Sequence, residues 1–91
     1  MERLGNFVSV ENLPSRNGQN SAPNQFDITF ENGSVFQSYS SLIAVKIGGE
    51  LYLSRKHDFS NTTNRFCTAW SGRSLSERRA GLENGTITLI D

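Results

Sequence analysis

The chain has 91 residues, of which 35% are hydrophobic, 10% aromatic and 20% charged, and its formal net charge is zero. This length suits a single domain spanning residues 1–91, and the hydrophobic content supports a modest core and argues against full disorder. A zero net charge gives no reason to expect a non-specific binder of nucleic acid or of a membrane surface. Residues 1–50 sum to −2 and residues 51–91 to +2, so the basic side chains gather in the second half.

Cysteine content and hydropathy indicate a cytoplasmic protein. Cys67 is the only cysteine, so an intrachain disulfide is impossible and a disulfide-stapled secreted scaffold is excluded. The opening residues lack the apolar segment of a signal peptide, and no stretch approaches the roughly 18 apolar residues of a membrane span.

The first half of the chain has the pattern of antiparallel strands. Residues 7–10 predict a short strand, and residues 11–24, rich in Asn, Ser, Gly and Pro, predict a polar surface loop that is either mobile or ordered by a partner. Residues 25–31 alternate apolar and polar side chains, which is typical of a half-buried strand. Asn32-Gly33 follows, and because both residues tolerate positive φ, the pair predicts a tight hairpin turn.

A second hairpin and two helices follow. Strands are predicted at 42–47 and 50–54, joined by a Gly48-Gly49 turn. A helix from Thr62 to Ser71 is predicted after the capping run 60–63 and ends at Gly72. Ser74 and Glu77 match a capping box for a helix over 75–84, which Gly81 weakens by about 1 kcal/mol relative to alanine.

The pattern ends with a closing strand over 86–90. The predicted fold is therefore α+β: an antiparallel sheet of about five strands, with two short helices between the fourth strand and the last.

Residues able to carry catalysis are scarce. His57 is the only histidine, and its sequence neighbour Asp58 is not placed as a triad acid would be. Cys67 lies on a predicted helix among apolar residues, where a small buried side chain is more common than a nucleophile. One histidine and one cysteine do not make a zinc site, so we predict neither an enzyme nor a cofactor.

The best interaction feature is a basic cluster in the predicted helical region. Its members are Arg65, Trp70, Arg73, Arg78 and Arg79. Arginine and tryptophan are enriched at interface hot spots, and arginines could also meet phosphates. The competing interpretation is that Trp70 belongs to the core and the arginines form a solvated face.

Two segments resemble a family of small phage and mobile-element proteins without an assigned activity. The first, residues 36–44, reads FQSYxSxIA, and the second, residues 58–66, reads DxSxTT and ends in Phe66. The resemblance covers about residues 26–91, and a closing strand pattern at 85–89 completes it. Ala69-Trp70 stands where family members commonly carry Phe-Leu, so the surface there differs.

The resemblance implies a phage-encoded accessory protein. Such proteins often bind and disable a host defence complex, and some are anti-CRISPR proteins. The leading hypothesis is therefore a non-enzymatic inhibitor of a host protein complex, such as a CRISPR–Cas effector. A nucleic-acid-binding regulator that uses Arg65, Arg73, Arg78 and Arg79 is one alternative, and a sponge for a small nucleotide is another. Oligomeric state stays open.

Overall fold

The computed structural model describes residues 2–15 and 20–91. Six strands form one sheet in chain order: β1 (Phe7–Pro14), β2 (Ser21–Phe30), β3 (Gly33–Ser38), β4 (Ser41–Ile47), β5 (Glu50–Leu53) and β6 (Thr88–Leu89). Two helices, α1 (Asn61–Ser71) and α2 (Leu75–Asn84), lie between β5 and β6. Short 3-10 turns occupy Glu2–Leu4 and Arg55–Asp58. The predicted α+β class and the position of both helices are confirmed.

The prediction of a polar loop over 11–24 is wrong at both of its ends. β1 continues to Pro14 and β2 begins at Ser21, while residues 16–19 lie outside the described part of the chain. Asn12 shows why polar residues suit this hairpin, because its Nδ2 donates to the Ala22 carbonyl across the strands at 2.9 Å. β1 lies at the edge of the sheet, where polar side chains can face water and still pair through the backbone.

The last strand differs from the predicted antiparallel arrangement. β6 pairs with β5 in parallel, with Tyr52 opposite Thr88 and Leu53 opposite Leu89. It covers two residues rather than the predicted five. The two helices form the crossover connection that a parallel pair requires, since a tight turn cannot return the chain in the same direction.

Local capping signals are confirmed in detail. Ser60 caps α1 by accepting from the Thr63 amide, and Gly72 ends this helix at φ 73°. Ser74 and Glu77 form the predicted capping box of α2. Each arrangement satisfies backbone groups that a helix end leaves unpaired, which explains why short-range sequence patterns locate these ends so well.

The two predicted hairpin turns use glycine differently. Gly48 and Gly49 both adopt positive φ, at 56° and 82°, as a tight turn of this kind requires. The first turn instead lies at Glu31–Asn32, and Gly33 begins β3 with a negative φ. A Cβ on Gly33 would lie 2.1 Å from the Lys46 carbonyl oxygen, so close backbone approach, not positive φ, requires glycine here.

The helices cover one face of the sheet, and this helix-covered face holds the larger core cluster. Phe36, Ala44 and Leu53 pack there against Phe66, Cys67 and Trp70 of α1. Ile87 closes the cluster beside α2 and is 2% exposed.

The opposite side of the sheet, here called the open face, is also apolar. The register places Val10, Ile28, Val35, Val45 and Tyr52 in one row across it. A second, smaller cluster forms on this side where Leu4 packs with Val35, Val45 and Ile47. The sheet therefore carries apolar side chains on both faces, whereas an antiparallel sheet with one solvated face would alternate apolar and polar residues.

Gly81 lets α2 approach Ile87, just before β6, at close distance. A Cβ at this position would lie 2.5 Å from Ile87 Cδ1 and 2.6 Å from Cγ1. We therefore expect Gly81→Ala to lower the free energy of unfolding by about 1–3 kcal/mol, opposite in sign to the helix-propensity gain. Urea denaturation measures this, with Ala80→Gly as the control for propensity alone. The Gly81→Ala/Ile87→Ala double variant should lose less unfolding free energy than the sum of the two single variants, because truncating Ile87 relieves the clash. Strict additivity of the two losses would contradict this close contact.

Candidate partner-binding surface

The five residues of the predicted basic cluster do not form one surface. Arg65, Arg73 and Arg79 are exposed, whereas Trp70 and Arg78 are buried. The prediction that Trp70 and Arg78 contact a partner directly is therefore wrong, because neither presents its side chain to solvent.

Trp70 is a core residue that joins α1 to the sheet. Its ring stacks on Phe36 with centroids 6.0 Å apart, and its Nε1–H donates to Asp27 Oδ1 at 2.9 Å. Lys46 Nζ lies 4.4 Å from the ring centroid and donates to the Trp70 carbonyl at 2.8 Å. The indole thus fills apolar volume while its one polar atom is paired, as a buried tryptophan requires.

Arg78 is fully buried (0% exposed) and anchors the junction of the two helices and the second 3-10 turn. Its Nε donates to His57 Nδ1 at 3.1 Å, and its terminal nitrogens donate to Thr68 Oγ1 and the Arg73 carbonyl at 2.8 Å each. A further short hydrogen bond reaches Asn64 Oδ1. No described carboxylate forms an ion pair with Arg78, so neutral acceptors alone compensate for its lost hydration.

His57 is held in one neutral tautomer by this network. Because Nδ1 accepts from Arg78, the ring proton of the neutral form sits on Nε2. Burial lowers the pKa of His57, and the nearby Arg78 and Arg79 cations lower it further, while Asp58 opposes them. The histidine is thus a structural acceptor and not a free base.

The lowered pKa of His57 predicts a pH-dependent stability. An unfolded histidine titrates near 6.5, so as pH falls below that value the unfolded chain binds a proton that the folded chain resists. The free energy of unfolding should be constant above about pH 7 and should fall as pH drops from about 6.5 through the folded-state pKa. Denaturation at several pH values measures it, and His57→Asn, which retains an acceptor without titrating, should remove the dependence in this window. A slope unchanged in His57→Asn would refute the assignment.

The three exposed arginines point to separate places. Arg79 Nη2 donates to Asp58 Oδ2 at 3.0 Å, and this hydrogen bond is the main cause of the lowered pKa of Asp58. Arg65 lies over the Phe66 ring and lines a cleft of about 330 Å³ beside the end of β1. Arg73 lines a different cleft of about 320 Å³, next to the hairpin turns. Their side chains therefore do not converge on one ligand.

Two exposed aromatic residues do share a site. Phe59 is 82% exposed and Tyr39 is 62% exposed, and together with Lys56 they line a cleft of about 230 Å³. The rest of the lining comes from Thr63 of α1 and from three residues of the sheet, which places the cleft on the helix-covered side. The sheet residues are Ser38, Ser41 and Ile43. We call Tyr39, Lys56 and Phe59 the Tyr39–Phe59 surface.

The backbone presents Tyr39 in an uncommon conformation. Tyr39 has φ 55°, which is the only positive φ at a non-glycine residue among the described residues. Its amide donates to the Asn24 carbonyl at 2.7 Å, and its own carbonyl accepts from Gln37 Nε2 at 2.7 Å. These bonds hold the strained residue in place, and residues held in such conformations cluster at functional sites.

Phe59 is presented by the junction between the second 3-10 turn and α1. Its amide donates to the Lys56 carbonyl at 3.0 Å, and the next residue, Ser60, is the N-cap of α1. The position is fixed by structure on both sides while the ring itself faces solvent. Sequence reasoning missed Phe59, although the signal was present: a large aromatic residue stands alone within the polar capping run Asp58–Asn61.

The thiol is not part of this surface. Cys67 is fully buried on α1, and burial raises the pKa of its thiol. A buried, protonated thiol has little nucleophilic character. In the described parts of the chain, no three His, Cys, Asp or Glu side chains cluster as metal ligands would.

The fold and site together define a class: a small α+β domain whose sheet is covered by helices on one side and which displays an exposed aromatic surface. The chain belongs to the family of unknown function DUF8033, whose model matches residues 8–85. Neither a curated protein nor a solved structure matches it. None of the described helices has the length and apolar character needed to cross a membrane.

Proposed function

We propose that this protein is a non-enzymatic accessory protein of a phage or mobile element that binds and inhibits a host protein complex in the bacterial cytoplasm. The observation that supports binding is the Tyr39–Phe59 surface. The phage context is supported by the sequence resemblance of residues 26–91 alone. A CRISPR–Cas effector is the first host target to test.

The exposure of Phe59 favours a role outside folding. A phenylalanine that is 82% exposed gives up most of the stabilisation that its burial would supply. Aromatic residues are enriched at protein interfaces, where a few such anchors carry most of the binding energy. Tyr39 and Phe59 flank one cleft, so a single side chain or loop of a partner can contact both rings.

Lys56 adds a charge to this surface. It is exposed, and the amide and carbonyl of its backbone are already engaged, by Ser54 Oγ and the Phe59 amide. A cation at the rim of an aromatic cleft favours a partner with an acidic or polar residue beside an apolar anchor.

Photo-crosslinking tests the binding proposal. A benzophenone amino acid at position 59 should capture one protein at about 1:1 from a lysate of the bacterial host, and the same probe at the exposed position 80 of α2 should not. Tyr39→Ala should reduce capture at position 59 by at least about 30-fold, the effect of losing one hot-spot residue. Equal capture from both positions, or none, would overturn the proposal.

The inhibitory role needs its own measurement. Expressed in a host whose CRISPR–Cas system targets a test phage, the protein should raise the plating efficiency of that phage. Phe59→Ala should abolish the rise without changing the melting temperature, because the ring is exposed. An unchanged plating efficiency would remove the CRISPR–Cas target but leave binding to another complex to the crosslinking result.

The crosslinking experiment also bears on nucleic-acid binding. Aromatic rings beside a lysine can stack on single-stranded bases. A captured species that disappears after nuclease treatment would favour this regulator over the protein inhibitor. The positions of Arg65, Arg73 and Arg79 do not favour a nucleic-acid-binding regulator. These arginines lie apart and do not form a continuous basic track for a phosphate backbone.

A further inference from the structure

The open face of the sheet carries no charge over its first four strands. The charged residues of β1–β4 are Glu11, Asp27 and Lys46. Glu11 pairs with Asp27 in the register, and both Asp27 and Lys46 contact Trp70 of α1, so all three lie on the helix-covered side. A sheet face that meets water normally collects the charged residues, and here the distribution is reversed.

Only part of this apolar face is covered within the chain. Leu4, in the N-terminal 3-10 turn, covers the region of Val35, Val45 and Ile47. The part formed by β1 and β2 stays accessible: Phe7 is 58% exposed and Val10 is 52% exposed. The residues of this β1–β2 patch are Phe7, Val10, Phe26, Ile28 and Phe30, which the register places on the same side of the two strands.

We propose that the β1–β2 patch binds a second copy of this chain, with the two open faces packed against each other about a two-fold axis. A two-fold interface brings the same residues of both copies together, so any charge in it opposes its own kind. The charged groups on this side, Arg3 and Glu50, lie beside Tyr52 at the β5 end of the face. The β1–β2 patch itself carries no charge, so this repulsion is absent where the two copies would meet. A heterologous partner places no such demand, since it can supply the opposite charge.

The dimensions of the molecule accommodate this interface. Its principal extents are 36 × 31 × 20 Å, so the sheet face is broad and the molecule is only two layers thick. A standard stable interface buries roughly 800 Å² on each partner, which fits within a face of this breadth. Packing the two faces together would give four layers, with the open faces at the centre.

Pairing through the edge of β1 is a different arrangement, and the strand is poorly suited to it. Register shifts interrupt β1 between Phe7 and Ser9 and between Asn12 and Pro14. Such bulges twist an edge strand away from a regular partner. Face-to-face packing does not need a regular edge.

The dimer leaves the Tyr39–Phe59 surface free in both copies, because that surface lies on the helix-covered side. Dimer formation therefore does not depend on the proposed function. Two outward surfaces on one dimer would also raise avidity for a partner that presents two binding sites.

Sedimentation equilibrium of the full chain tests the proposal. The expected mass is twice the monomer mass of 10.1 kDa at micromolar concentration, unchanged between low and high salt because the interface is apolar. Val10→Lys should raise the dissociation constant of the dimer by at least about 100-fold, since each copy would bury an unpaired ammonium. Phe7→Lys repeats the test at a second exposed position.

Phe59→Lys is the matched control, because it introduces the same charge at an exposed apolar residue on the other side. It should leave the dimer intact while abolishing partner capture. Circular dichroism establishes that each variant is folded. A monomer at every concentration up to about 200 µM, or a dimer unaffected by both Val10→Lys and Phe7→Lys, would overturn the proposal.

Discussion

Replacing Arg78 with alanine is expected to lower the free energy of unfolding by about 3–5 kcal/mol. The substitution removes the Arg78 donors to His57 Nδ1, Thr68 Oγ1 and Asn64 Oδ1, and the shorter of two hydrogen bonds to the Arg73 carbonyl, which Ser71 Oγ also reaches at 3.4 Å. Acceptors left buried without a donor each cost about 1–3 kcal/mol, and a cavity adds to the loss. Such a loss is a large share of the roughly 5–15 kcal/mol that stabilises a typical domain. Urea denaturation at pH 7.5 measures it.

Arg79→Ala is the matched control for this experiment. Arg79 is the next residue of α2, but its side chain is exposed and its ion pair with Asp58 lies at the surface. We expect a loss of at most about 1 kcal/mol. Arg78→Met separates the cost of the lost hydrogen bonds from the cost of the cavity, because methionine fills most of the volume yet donates no hydrogen bond. If Arg78→Ala costs no more than Arg79→Ala, the network does not stabilise the fold as described.

Replacing Gly33 with alanine is expected to cost about 3 kcal/mol or more in the free energy of unfolding. The added Cβ would lie 2.1 Å from the Lys46 carbonyl oxygen and 2.9 Å from Leu4 Cδ2. The first atom belongs to the backbone of the neighbouring strand, so relief requires β3 and β4 to separate. The second belongs to the residue that covers the smaller core cluster.

Gly48→Ala distinguishes this steric effect from the general cost of replacing glycine. Gly48 has a positive φ, but a Cβ there would meet nothing within 4 Å. Its expected cost is about 1–2 kcal/mol, from the left-handed conformation alone. Equilibrium denaturation of both variants provides the comparison. A smaller loss for Gly33→Ala than for Gly48→Ala would contradict the close approach of β3 and β4.

Features that depend on a few neighbouring residues could be predicted from the sequence. The α1 cap at Ser60, the capping box of Ser74 and Glu77, and the Gly48-Gly49 turn all follow from short-range hydrogen bonds and backbone preferences. The strands of both hairpins follow from alternation of apolar and polar side chains.

Features that depend on distant residues could not be predicted in this way. Arg78 lies beside Arg79 on α2, and nothing local separates the buried one from the exposed one. The difference arises because acceptors from α1, the second 3-10 turn and the Arg73 carbonyl meet at Arg78. The strand ends within 11–24 were missed for a related reason, since pairing with a neighbouring strand and not apolar content makes them strands.

The exposure of the Tyr39–Phe59 surface could not be predicted from the sequence pattern either. Exposure is a property of the finished surface, and Phe59 and Tyr39 are separated by 20 positions in the sequence. Alternation and spacing identify residues that should be inside the protein. They do not identify an apolar residue that the fold leaves outside. The isolated position of Phe59 in the polar run Asp58–Asn61 is a sequence signal for exposure, but only the fold shows that the residue is 82% exposed.

The parallel pairing of β5 with β6 has a consequence for the order in which the molecule forms. β1–β5 pair with sequence neighbours, so their contacts close short loops and can form early. The β5–β6 contact must wait for the whole helical crossover, so in a nascent chain it forms after the contacts among β1–β5. Until α1 has left the ribosome, Phe36 lacks its stacking partner Trp70, and the face of the sheet that the helices later cover stays exposed to solvent. The chain is therefore most prone to aggregation after β1–β5 have paired and before α1 covers the sheet.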